Sequence, residues 1–398
     1  MAADPFRQKP TVGISFPILL AASLCHLLND LMQSVFTATY PLIKSEYHLS
    51  FSQIGLLTLT YQMSASILQP LIGQYTDRRP LPYSLPFASI FSMSGIFTLS
   101  TSSNFPFLLM GAALLGIGSS IFHPEASRVA RLATDASHGL AQSIFQVGGN
   151  LGSSLGPLMV FLIVTPRGLG SLAWFCLAAA FAMLILIGIS RWYAHQTKTG
   201  IIGVVTARAD LSQFRIWTAI LLLMTLMLSK TFYLASFESF YQFYLIEKFA
   251  VSPRDAQLAF FAFLAAVAAG TLVGGPIGDR IGRKKVLWGS IFGVLPFTMI
   301  LPHVDLTITI SLSLVIGFVI ASAFSAIVVF AQSLMPHRIG MISGVFFGLL
   351  FGFAGLGAAL IGILADRIGI QSVYNLCAFL PAMGFLTLFL PEIKSPTK

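Results

Sequence analysis

The chain has 398 residues, 56% of them hydrophobic and 9% charged, with a mean hydropathy of +0.84. A soluble domain of this size carries about a quarter charged residues, so the composition excludes one and describes an all-α integral membrane protein. The net charge of +9 sits mostly in short connections between apolar runs, which argues for membrane orientation rather than a nucleic-acid surface.

Apolar runs of spanning length fall at 15–42, 52–75, 83–101, 106–130, 139–164, 170–193, 216–245, 254–278, 286–302, 307–334, 340–364 and 371–391, which predicts about twelve transmembrane helices. The N-terminus runs into the first span with no small-residue cleavage site, so no removable signal peptide is expected. Cys25, Cys176 and Cys377 lie inside apolar stretches at no ligand or disulfide spacing and read as core residues.

The first span carries His26 and Asp30, one turn apart on a shared helix face. A lone histidine in a helix is by default a satisfied core residue. The second span ends in Gly73-x-x-x-Asp77-Arg78. In the fourth, His123 and Glu125 flank Pro124, with Arg128 one turn further. Proline removes a backbone donor, so a kink is expected there. Two readings stay open: Glu125 and Arg128 form an i,i+3 pair at a span end, or they belong to a polar station on a solute path. The fifth span carries Gly152-x-x-x-Gly156-Pro157, whose small residues give one smooth face for close helix packing. Span seven holds Lys230 and Glu238, with Tyr233, Phe237 and Tyr241 forming an aromatic stripe that reads first as packing.

The eighth span ends in Gly275-x-x-x-Asp279-Arg280-Ile-Gly282-Arg283, which repeats the motif after span two at an offset of 202 residues. The glycine-rich stretch around Gly152 recurs around Gly352, at an offset of 200. Two pseudo-symmetric six-helix halves are therefore expected, residues 1–193 and 215–398, joined by a polar cytoplasmic linker at 194–214. With the N-terminus placed inside, seventeen of the 23 Lys and Arg face inward, five face outward, and Lys230 stays within a span. That bias places both termini in the cytoplasm.

Gly275-Pro-Ile-Gly-Asp279-Arg280-Ile-Gly282-Arg283-Lys284-Lys285 closely resembles the loop motif of the major facilitator superfamily, and Gly152-x-x-x-Gly156-Pro157 resembles its antiporter signature. His26-Leu-Leu-Asn29-Asp30, Phe122-His-Pro-Glu-Ala-Ser-Arg-Val-Ala-Arg131, His138 to Asn150 and Ser190-Arg-Trp-Tyr193 together look like the bacterial fosmidomycin-resistance protein family. The resemblance implies the major facilitator fold, with spans one, four, seven and ten lining a central cavity. It implies an inner-membrane exporter of a small phosphonate, driven by proton exchange through alternating access, with the loop motif as a gate. The first-half copy of that motif is degraded by Pro80-Leu81-Pro82, and the Arg that many drug exporters carry before a fourth-span Gly-x-Gly is Ala112 here. Coupling through that Arg is therefore absent or met elsewhere.

The candidate substrate and coupling residues are Asp30, His26, Glu125, His123, Arg128, Lys230 and Glu238. Lys230 follows Asp30 by 200 residues and occupies the corresponding place in the second half, where a salt bridge between the two would tie the halves together. An anion buried in the membrane needs a cation, which assigns Lys230 to bound substrate and Arg128 to the first encounter with it. The expected partners are a small anionic solute, protons and the lipid bilayer, in a monomer with no nucleic acid. No cofactor beyond the proton gradient and no metal is expected. An importer of a small organic anion is the alternative on the same fold. A membrane enzyme using His26, His123 and Glu125 lacks a His-x-x-x-His pair or a nucleophile with its base, and a non-transporting receptor would not need ionisable groups on three cavity helices.

Overall fold

A computed structural model describes residues 15–133, 138–198, 212–281, 283–322, 327, 330–331, 334 and 339–390, and the described residues form helices with no strand. The spanning elements are α1 (Phe16–Ala38), α2 (Phe51–Arg78), α3 (Ser84–Ser100), α4 (Phe105–Leu132), α5 (His138–Met159) and α6 (Phe175–Lys198) in the first half. In the second half they are α7 (Gln213–Phe249), α8 (Pro253–Ile281), α9 (Arg283–Ile291), α10 (Leu306–Ala321), α11 (Ile339–Ile368) and α12 (Ile370–Cys377). A π-helical stretch, Val160–Val164, prolongs α5, a short helix at Leu295–Ile300 and a 3-10 turn at Leu301–His303 continue α9, and 3-10 turns at Leu169–Trp174 and Leu380–Phe389 complete α6 and α12. Local chemistry sets several ends. Ser50 and Gln53 form a capping box on α2, and Asp305 accepts from the Ile308 amide to start α10. α7 stops at Ala250 in the left-handed region, just before Pro253. α4 runs unbroken through Pro124.

Nine described stretches are long and apolar enough to cross a bilayer, and Ser84–Ser100 and Leu306–Ala321 are shorter apolar helices. α2 belongs to neither set, because it carries polar side chains towards the other half rather than towards lipid. Ser66 donates to the Gly348 carbonyl at 2.5 Å, and Thr58 pairs with Ser239 at 3.4 Å. α6 shows the opposite pattern. Leu177, Phe181 and Leu184, one turn apart, are 64, 53 and 66% exposed and form a lipid-facing stripe.

Lipid tails are as apolar as leucine, so helices in a bilayer gain most by close approach and hydrogen bonds. α1 and α5 show this directly. A Cβ at Gly152 would strike the Leu27 carbonyl, and one at Gly156 would strike Ser34, whose hydroxyl donates to the Ser153 carbonyl at 2.5 Å. The small-residue motif of span five is thus a packing face. Gly152→Val is expected to cost about 1–3 kcal/mol through overpacking, read as a lower unfolding midpoint in detergent. The halves meet along α2 against α11 and α5 against α8.

α6 extends to Lys198, past the boundary expected at 193, and residues 199–211 of the linker are outside the described residues. Asp77 and Arg78 end α2, Gly275, Asp279 and Arg280 fall in the last turns of α8, and Arg283 opens α9. Gly282 and the side chains of those charged residues lie outside the described residues. Gly73 rests against Pro124, with 3.8 Å from a notional Cβ to its ring, so α2 packs on α4 at the motif.

Candidate functional site

Asp30 is the centre of the site. His26 lies one turn earlier on α1, and its Nε2 is 3.2 Å from Asp30 Oδ2. His123, from α4, brings its Nε2 to 3.5 Å from Asp30 Oδ1. The other ring nitrogen of each histidine is committed: Nδ1 of His26 meets the Phe145 carbonyl at 2.8 Å, and Nδ1 of His123 meets the Ser119 carbonyl at 3.0 Å. A carbonyl oxygen only accepts, so Nδ1 of His26 carries a hydrogen and donates, whereas Nδ1 of His123 also lies 3.2 Å from the Ser119 hydroxyl, which donates to it in the other tautomer. A neutral imidazole with Nδ1 protonated presents a bare lone pair at Nε2. At His26 a further proton, on Nε2 or on the carboxylate, is then needed for the contact with Asp30 to be a bond, whereas a neutral His123 accepting from Ser119 donates to Asp30 through Nε2.

Its surroundings are polar on one side and tightly packed on the other. Asn29 donates to Asp30 at 3.1 Å and Gln33 at 3.5 Å, while Tyr61 of α2 donates to Gln33. Glu238 of α7 lies within electrostatic range of Tyr61 and of Lys230. The polar path from Asp30 thus runs through Gln33 and Tyr61 towards the second half. On the packed side, a Cβ at Gly149 would lie 2.5 Å from the His26 ring and 2.8 Å from Asp30, so glycine there leaves room for the cluster. His26 stacks on Phe145 at 4.1 Å between ring centroids. His123 touches Phe351 of α11, centroid to centroid 5.9 Å, which sets the cluster at the seam between the halves. Asp30 keeps 16% side-chain exposure and His123 15%, whereas His26 keeps 3%.

The sequence paired His26 with Asp30 correctly by spacing but placed His123 beside Glu125. The structure separates these two. Glu125 is fully buried and faces Arg128, Nη1 to Oε1 3.4 Å. Arg128 also donates to the Thr76 carbonyl at 2.6 Å, to the Thr76 hydroxyl at 3.1 Å and to the Tyr193 hydroxyl at 3.3 Å. This pair ties α4 to α2 and α6 within the first half, close to the plain ion-pair reading. Arg128→Ala is expected to cost about 3–5 kcal/mol by removing the countercharge of a buried acid. The double change Arg128→Met with Glu125→Leu should recover most of that stability, measured as folded yield and unfolding midpoint.

Lys230 is 2% exposed on α7, and Asp30 makes its contacts with the two histidines rather than the alternative bridge to Lys230. The aromatic stripe packs. Phe237 stacks on Phe263 at 4.5 Å, and Tyr241 donates to Ser313 at 2.9 Å. Gln33, Tyr61, Ser119 and Gly149 were missed by the sequence reading: Gln33 stands three residues after Asp30 and Ser119 four before His123, a helical spacing that could have found them, whereas no spacing joins Tyr61 or Gly149 to Asp30. By donor type, His26, Asp30 and His123 could also hold a metal ion, since their ligand atoms lie within 4.8 Å of one another. No metal was expected from the sequence.

Apolar helices in two packed halves, nine of the described stretches long enough to span, with ionisable groups at the seam, define a multi-pass membrane transporter. The sequence model of the major facilitator superfamily matches residues 22–246 and 239–398, and the chain belongs to that superfamily. It is 55% identical over 95% of its length to the fosmidomycin resistance protein of Escherichia coli (strain K12), covering 93% of that protein. It is 38% identical over 97% of its length to the MFS-type transporter YfnC of Bacillus subtilis (strain 168), covering 95% of it. Among solved structures, a bacterial homolog of the human lysosomal transporter Spinster, inward-facing and unoccupied, matches with a TM-score of 0.72. Its identity is 16% and the match covers 94% of both chains, a likeness of fold. The family and the fold are those of membrane transporters rather than of enzymes.

Proposed function

We propose that this protein exports fosmidomycin or a similar small anionic compound across the bacterial inner membrane in exchange for protons, by alternating access. The substrate class rests on the 55% identity to the fosmidomycin resistance protein along nearly the whole chain. The coupling rests on Asp30, whose carboxylate is held between the Nε2 atoms of His26 and His123 at 3.2 and 3.5 Å. Such a cluster loads or releases protons as its hydration changes, and His123 carries that change to Phe351 in the other half. Lys230 is the cation for the bound anion, with Glu238 competing for it when the site is empty. The charge bias of the connections supports cytoplasmic termini. The exporter acts as a monomer.

Expression in a fosmidomycin-sensitive bacterium lacking its own exporter tests the reading. The parent protein should raise the inhibitory concentration of fosmidomycin, and Asp30→Asn at equal membrane abundance should not. No protection from the parent protein would overturn the substrate assignment. Stoichiometric zinc in the purified protein would overturn the proton role of the cluster in favour of a metal.

A further inference from the structure

We infer that Asp366 is a latch that closes the transporter at the end opposite the linker, by capping the first turn of α2 from the other half of the molecule. Its carboxylate accepts from the Phe51 amide at 2.8 Å, the Ser52 amide at 2.7 Å and the Ser52 hydroxyl at 2.5 Å. The first turn of a helix leaves its amides without partners inside the helix. On α2, Ser50 and Gln53 satisfy each other's amides, and Asp366 takes the two that remain. The positive end of the helix favours a carboxylate there.

The sequence around Asp366 explains how it arrives. Gly362-Ile-Leu-Ala-Asp366-Arg367-Ile-Gly369 matches Gly275-Pro-Ile-Gly-Asp279-Arg280-Ile-Gly282 at both glycines and at the Asp-Arg-Ile core. A Cβ at Gly362 would collide with the Phe51 carbonyl, so glycine allows the close approach that puts Asp366, one turn on, at the α2 amides. The third copy of the motif ends α11, while the other two end α2 and α8 at the opposite side. α2 and α11 run antiparallel and in contact, so this pair carries a Gly-x-x-x-Asp-Arg at each end.

The surroundings match a closed end. Thr165 donates to Gln257 at 2.8 Å, the Arg254 guanidinium lies 4.5 Å from the Phe161 ring, and Thr58 meets Ser239 at 3.4 Å, all across the halves. Asp366 itself stays exposed, so water can take over the carboxylate and the two amides when the halves part. The latch therefore exchanges one set of hydrogen bonds for another and stays reversible.

The test is accessibility from outside. With Cys25, Cys176 and Cys377 replaced by Ala, Thr58→Cys reports the space beneath the latch to a membrane-impermeant maleimide. Asp366→Ala should raise its labelling rate by about tenfold or more, the scale of losing hydrogen bonds to a charged acceptor. Asp366→Glu, which keeps the carboxylate, should raise it less. In a second variant, Ser52→Cys with Asp366→Cys should cross-link on oxidation and stop transport, and reduction should restore it. Unchanged labelling in Asp366→Ala, no cross-link, or full transport by the cross-linked pair would each overturn the latch.

Discussion

Asp30→Asn is expected to abolish drug movement driven by a pH gradient while leaving drug-for-drug exchange in place. The asparagine can still hydrogen-bond Asn29 and Gln33, but it removes the charge that holds two imidazoles by Nε2. A one-unit pH gradient supplies about 1.4 kcal/mol per proton, or about tenfold accumulation at one proton per drug. In Asp30→Asn that ratio should fall to one. His26→Gln and His123→Gln should each weaken it, with His123→Gln also disturbing the contact with Phe351. A mutant that still concentrates drug would place the proton carrier elsewhere.

Lys230→Gln carries the second large effect, on binding. A cation this deep loses its hydration, so its pairing with an anion is strong and its removal costs about 2 kcal/mol or more. Binding of the anionic drug should weaken by about thirtyfold or more, while a neutral ester of the same compound loses far less. Lys230→Arg should restore only part, because a planar guanidinium needs a different geometry. Glu238→Gln should act in the opposite direction, since Glu238 competes for Lys230. Calorimetric titration of purified protein checks all three. Equal affinity in Lys230→Gln would move anion recognition to other groups.

Much of the fold was legible because lipid forces the pattern: a span facing it must be apolar for about twenty residues, and each expected run falls on helix among the described residues. α2 shows the limit of hydropathy, since its polar face turns to the other half, yet its length and the Gly73-x-x-x-Asp77-Arg78 ending made it readable. The site was legible only where it was local. His26 and Asp30 announce themselves by i,i+4 spacing, but His123 reaches them from 93 residues away, through the packing of α1 on α4. Glu125 looked like a cavity acid for the same reason: its neighbours in sequence do not reveal that Thr76 and Tyr193 surround its partner Arg128. Asp366 passed unread because its motif sits at the unexpected end of a span, and its purpose appears only when α11 meets α2.

The most direct test of proton-coupled export is flux in proteoliposomes with an imposed pH gradient, following fosmidomycin and internal pH together. The account predicts that an inward-directed proton gradient drives outward drug movement against its own gradient, that protons move the opposite way in step with drug, and that Asp30→Asn does neither. Drug flux that ignores the pH gradient, with no proton movement in response to drug, would contradict it.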